Sequence, residues 1–76
     1  MKSYAAFGEM IKLIRTEGWV EPLTQLEFAE IVGVNRSQVS NVEIGNSDAT
    51  LFWIECIAAS CNIKISYDRK KGWSYK

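Results

Sequence analysis

Apolar positions recur with the helical period through most of this chain and switch to strict alternation near its end. Phe7, Met10, Ile11 and Ile14 form one stripe, which predicts a first helix over residues 4–16 with Gly18 as its stop. Trp19-Val20-Glu21-Pro22 is then a connection, with Trp19 expected to cap the core and a partner surface as its alternative. Thr24 reads as an N-cap, and Glu27 three residues on completes the spacing of a capping box. Phe28, Ala29, Ile31 and Val32 give this second helix its apolar side, and Gly33 stops it as a residue free to take positive φ. Asn35 is a second N-cap, opening a helix that runs to about Ile44 and ends at Gly45. Ser47 or Asp48 caps a fourth helix, in which Leu51, Phe52, Ile54, Ile57 and Ala58 are expected inward and Trp53 flanks the stripe, open to exposure. Then the period changes. Ile63, Ile65 and Tyr67 alternate with Lys64, Ser66 and Asp68, a strand pattern. Arg69-Lys70-Lys71-Gly72 reads as a turn and Trp73-Ser74-Tyr75 as a short returning strand.

The third helix is the most informative element. Val39 and Val42, three apart, must face the core, which leaves Arg36, Ser37, Ser40 and Asn41 on the opposite side. Two short helices joined by one tight turn, the second with an uncharged-polar face and a single Arg, suit entry into a DNA major groove. Arg36 is the expected base reader, because a guanidinium can bond guanine O6 and N7 together. The alternative for it is a phosphate contact without sequence information. Ser37 and Asn41 are placed to meet base edges or thymine methyls, and Asn35, Gln38 and Ser40 to reach phosphates. An ordinary polar surface is the bland alternative for all five.

These residues also carry a resemblance. The spaced run of Thr24, Gln25, Ala29, Gly33, Val34, Ser37, Val39, Ser40, Glu43 and Gly45 resembles the Cro/C1 (XRE) class of helix–turn–helix regulators. Upstream, Phe7 to Arg15 resembles the first helix of that class, and downstream Thr50-Leu51 with Ile54 and Ile57 resembles its fourth. The resemblance implies a mainly α, lambda-repressor-like domain of four to five helices with a C-terminal β-strand or hairpin. It divides the chain into a DNA-binding domain over residues 1–62 and a strand with a basic tail over 63–76. Gln25 resembles the family glutamine that touches a phosphate and braces the recognition helix. Together with Thr24 it completes the expected DNA-binding set of Thr24, Gln25, Asn35, Arg36, Ser37, Gln38, Ser40 and Asn41. Arg15 and Glu43 resemble a pair that phage repressors bury between helices 1 and 3, a structural role that orients helix 3. Ile44 departs from the family, which often has Asn there. Within the class, HipB-like antitoxins follow helix 4 with a strand that builds a dimer. Ser40-Asn41 before Glu43, Thr50-Leu51 and the run Ile63 to Tyr67 extend the likeness to them. That likeness implies a kinase-like toxin partner, autorepression of an operon, and dimerisation through Ile63, Ile65 and Tyr67.

Composition and charge constrain the reading further. A chain of 76 residues is one small domain with a modest core, marginal as a monomer and helped by association. With 47% of its residues apolar it is not disordered. No apolar run reaches the roughly 18 residues needed to span a bilayer, and Met1-Lys2-Ser3-Tyr4 is not followed by a signal-peptide core. A cytoplasmic, nucleoid-associated protein without membrane contact is expected. The net charge of zero is poor support for DNA binding until it is divided. Residues 1–62 hold four basic and eight acidic side chains, net −4, whereas residues 63–76 hold five basic and one acidic, net +4. Non-specific affinity should therefore be weak, since counterion release scales with the phosphates neutralised, and two copies on two half-sites are needed.

Cys56 and Cys61 lie five apart in a chain without His, so no zinc spacing fits and two small buried residues are expected. No metal site, nucleophile–base pair or glycine-rich phosphate loop is present, so neither catalysis nor a cofactor is expected. The sequence thus predicts a homodimeric, sequence-specific repressor on a palindromic double-stranded operator, and the HipB-like resemblance implies antitoxin activity as a second role. The alternatives are a phage or restriction-modification controller without a toxin, and a protein-interaction module that has lost DNA binding.

Overall fold

A computed structural model describes residues 2–76, with α1 over Lys2–Glu17, α2 over Gln25–Val32, α3 over Arg36–Glu43, α4 over Thr50–Cys61, β1 over Ile65–Asp68 and β2 over Gly72–Tyr75. Four helices and a C-terminal antiparallel hairpin are the architecture that the apolar pattern and the resemblance imply. The stripe of α1 (Phe7, Met10, Ile11, Ile14) is wholly buried against Phe28, Ala29 and Val32 of α2, Val39 and Val42 of α3, and Trp53 and Ile57 of α4. Burial of that many full side chains, at about 1.5–3 kcal/mol each, is what holds so short a chain together.

Local chemistry fixes α2 and α3. The Thr24 hydroxyl accepts from Glu27 N at 3.1 Å while the Glu27 carboxylate accepts from Thr24 N at 2.8 Å, so two otherwise unpaired amides are satisfied reciprocally. Gly33 then takes φ 90°, and Gly33 N and Val34 N both bond to the Ala29 carbonyl, at 2.8 and 3.0 Å. The reversal is complete within three residues. Asn35 caps α3 by the same reciprocal device, with Gln38 as its partner. α1 packs along α3, and Gly8 is the reason it can. A Cβ built at Gly8 would lie 2.1 Å from the Val42 carbonyl oxygen, so the two backbones touch where any side chain would separate them.

Helix 4 corrects the sequence reading. Trp53 is its largest buried side chain, 1% exposed, and stacks on Phe28 with the rings 6.4 Å apart and 2° from parallel. Leu51 and Phe52, expected inward, are 68% and 44% exposed, and Ala58 is exposed as well. Ile57 is buried and Ile54 half-buried. The physical reason is that α4 is apolar at almost every position, so its periodicity names no single face. The indole, with the most area to hide, settles the rotation. Ile31 of α2 is likewise exposed. The cap differs too. Ala49 occupies the N-cap of α4 without a side-chain bond, and Ser47 Oγ instead accepts from Ala49 N at 3.2 Å. Cys56 and Cys61 are free and half-buried, not fully enclosed.

The strands pair with each other. Ile65 lies opposite Tyr75 and Tyr67 opposite Trp73, and reciprocal bonds between Lys64 and Lys76 extend the ladder by one step. Asp68 Oδ1 accepts from Lys70 N at 2.7 Å and Lys71 N at 3.2 Å, which turns the chain. β2 lies on α1, where Trp73 meets Phe7 edge-on with centroids 4.9 Å apart. Ile63 and Ile65 are half-buried against the same core, while Tyr67 is 56% exposed and leans on Trp73. The strand thus finds its partner within the chain. Trp19 is half-buried against the core.

Candidate nucleic-acid interface

Arg36, Ser37, Gln38 and Asn41 are exposed on α3, and Ser40 is half-buried beside them. The structure brings these residues onto one surface because Val39 and Val42 are pinned beneath it. The caps determine which atoms remain available. Asn35 Oδ1 accepts from Gln38 N at 2.9 Å and from Ser37 Oγ at 2.8 Å, and Gln38 Oε1 accepts from Asn35 N at 3.0 Å. Both amide oxygens are therefore engaged in ending the helix. Only the NH₂ ends of Asn35 and Gln38 are left to donate outward, and a donor is what a phosphate oxygen requires. Thr24 is placed similarly: its hydroxyl oxygen accepts from Glu27 N, which leaves the O–H free to donate.

Beneath that surface runs a polar network joining three helices. Arg15 of α1 donates from Nε to Glu43 Oε2 at 2.6 Å and from Nη2 to Oε1 at 3.0 Å. Its Nη1 donates to the Leu23 carbonyl at 2.7 Å, just ahead of α2. The two charged side chains are 12% and 4% exposed, so the pair is bidentate and largely removed from water. Gln25 of α2 donates from Nε2 to Glu43 Oε1 at 3.1 Å, and its Oε1 accepts from Arg36 Nη1 at 3.4 Å. Arg15, Glu43, Gln25 and Arg36 are thus one connected set, with its buried end between α1 and α3 and its exposed end at the first turn of α3.

A polar cleft of about 220 Å³ separates α3 from the start of α4, with Gln38 and Asn41 on one wall and Asn46, Ser47 and Asp48 on the other. In the sequence Ser47 and Asp48 stand out only as cap candidates, and Asn46 does not stand out. No pattern marks them, because a loop carries no periodicity. Among the described residues Arg36 is the one cation on the α3 face, whereas Arg69, Lys70 and Lys71 stand exposed at the hairpin turn. Burial pushes the Cys61 thiol above its ordinary pKa, which is the opposite of what a reactive thiolate requires. Among the described residues no group of three or more His, Cys, Asp or Glu side chains could hold a metal ion.

No family model matches the chain, and no solved structure matches it. It is similar to Antitoxin PezA of Streptococcus pneumoniae serotype 4, being 39% identical over 56 residues. The match takes in 74% of this chain and 34% of that protein, so the chain spans about a third of the length of the curated relative it matches.

Proposed function

We propose that this chain is a sequence-specific DNA-binding module of a toxin–antitoxin system, acting as an antitoxin that represses its own operon from a palindromic operator. The observation that carries the reading is α3: a helix with a reciprocal N-terminal cap whose exposed Arg36, Ser37 and Asn41 stand on a surface anchored from below by the Arg15–Glu43 pair. Rigid placement of that kind is what base reading needs, since a misaimed guanidinium loses the bidentate match to guanine. The likeness to an antitoxin supports the biological setting. A toxin partner, kinase-like by the HipB-like resemblance, belongs to the same reading. No helix among the described residues is long and apolar enough to cross a membrane.

A dimer follows from the same reading, because one domain with so little positive charge needs a second half-site to bind tightly. The hairpin already satisfies its inner backbone edge and its apolar face within one chain. Exposed apolar side chains occur on several elements, and on α4 Leu51, Phe52 and Ala58 are uncovered together. We place the two-fold contact there.

The test is a mobility shift on the DNA upstream of the chain's own gene, with a scrambled duplex of equal length as competitor. A shift that survives excess competitor supports the reading. A specific observation favours one rival: residues 1–62 carry a net charge of −4, which suits a protein-interaction module better than a DNA reader. Equal, salt-sensitive binding to both duplexes, or none at low salt, gives the case to that rival.

A further inference from the structure

We infer that Ile44 is a further base reader, which takes the C5-methyl group of a pyrimidine in the major groove. The inference rests on the DNA-binding reading above. Ile44 caps the C-terminal end of α3, and its N–H still bonds to the Ser40 carbonyl at 3.2 Å, so it continues the frame of the helix. At about 100° per residue it falls nearly in line with Ser37 and between Ser40 and Asn41. That direction points away from Val39 and Val42, which hold the core. Ile44 is 69% exposed, and across residues 36–44 it is the one apolar side chain outside the core. Its backbone is held on both sides. Gly45 N donates to Val42 O at 3.1 Å and Asn46 N to Asn41 O at 2.9 Å. Gly45 itself lies against α1, where an added Cβ would come within 3.0 Å of Ala5 Cα.

Asn, which the XRE class often has here, can hydrogen-bond a phosphate or a base edge, and the Ile side chain can do neither. What Ile44 offers is an apolar, β-branched group with a stiff χ1, so little freedom is lost when it is held against a surface. Its companions on α3 are Ser37, Ser40 and Asn41, so this face lacks the apolar centre around which a protein interface is built. The major groove has the matching pattern. Its base edges present donors and acceptors, and the thymine C5-methyl is its apolar feature. Cytosine methylated at C5 presents the same group. Arg36 stands about 12 Å from Ile44 along the helix axis, so the two side chains meet different base pairs.

The experiment titrates wild type, Ile44→Ala and Ile44→Val with the preferred upstream duplex, each thymidine being replaced in turn by deoxyuridine. That replacement removes the C5-methyl and leaves base pairing intact. Wild type should lose affinity at one position in each half-site, by roughly 4-fold, the effect of burying one methyl. Ile44→Ala should bind the parent duplex about as weakly as wild type binds that substituted one, and lose nothing more from the substitution. Ile44→Val should keep part of the sensitivity. In parallel, each cytosine is replaced by its C5-methylated form. A gain confined to one such position and abolished in Ile44→Ala assigns the contact to methylated cytosine instead of thymine. Because Ile44 is exposed, its variants should melt with wild type, which separates a lost contact from a lost fold. If no position responds to the methyl, or if the same positions respond equally in Ile44→Ala, the inference is overturned while specific binding keeps the DNA-binding reading standing. Wild type that does not prefer the upstream duplex to a scrambled one overturns the reading and the inference together.

Discussion

Arg15 and Glu43 show how much one contact can weigh in a chain of this size. Taking two charges out of water costs several kcal/mol for each, and the pair recovers that only because the geometry is bidentate and the spare donors and acceptors find Leu23 and Gln25. Removing one partner strands the other at 12% or 4% exposure. Glu43→Gln should therefore cost about 3–5 kcal/mol, a large share of the stability of a small domain. The thermal midpoint should drop by about 15 °C or more. A melt within a few degrees of wild type would mean that water reaches the pair in solution. Arg36→Ala belongs to the same scale with the opposite signature. Arg36 is exposed, so the fold should tolerate its loss. Binding should fall by about 1–3 kcal/mol, concentrated at one operator position, as read from a panel of point-substituted duplexes. An even loss over the whole panel assigns Arg36 to the backbone.

At the scale of elements, legibility followed the strength of local chemistry. The boundaries of α2 and α3 were readable because caps are short-range: Thr24 with Glu27, Gly33 at positive φ, and Asn35 each act within four residues. Gln38 as the capping-box partner of Asn35 was not read, since a Gln at that position serves a cap or a surface equally well. The rotation of α4 is not legible in its sequence, TLFWIECIAASC, which has one charge in twelve residues and no polar face to orient it. The hairpin was readable in outline from alternation, but its docking on α1 depends on the meeting of Trp73 and Phe7, which lie far apart in sequence. Gly8 carries no signal in the sequence, because a glycine inside a helical run looks like a mere cost of propensity. It is the point where α1 and α3 close. Gly8→Ala should gain up to about 1 kcal/mol of helix propensity and lose more to the clash with Val42 O and Glu43 O. The net expectation is a destabilisation of about 2 kcal/mol, with α3 pushed off α1, measured by urea unfolding. A variant as stable as wild type would show that the helices stand further apart than this crossing allows.

At the scale of the whole molecule the question is what the hairpin and α4 each contribute to assembly. A lone strand would need a second subunit for its backbone and its apolar face, but β1 pairs with β2, and Ile63, Ile65 and Trp73 are half-buried on their own domain. Removing residues 63–76 uncovers Phe7, so it should loosen the fold, and a lost dimer in that fragment would say little about the interface. Leu51→Glu asks the sharper question. At 68% exposure the side chain contributes little to folding, so the monomer should keep its stability. In a dimer closed through α4, the same change buries a carboxylate in an apolar, self-facing patch on both copies, since a two-fold interface uses one surface twice. Sedimentation should then show a monomer where wild type is dimeric. Operator binding should fall toward that of a single half-site, because two recognition helices no longer stand about 34 Å apart. If Leu51→Glu sediments as a tight dimer, the outer edges of the hairpin hold the copies together, and the exposed face of α4 is left for the toxin.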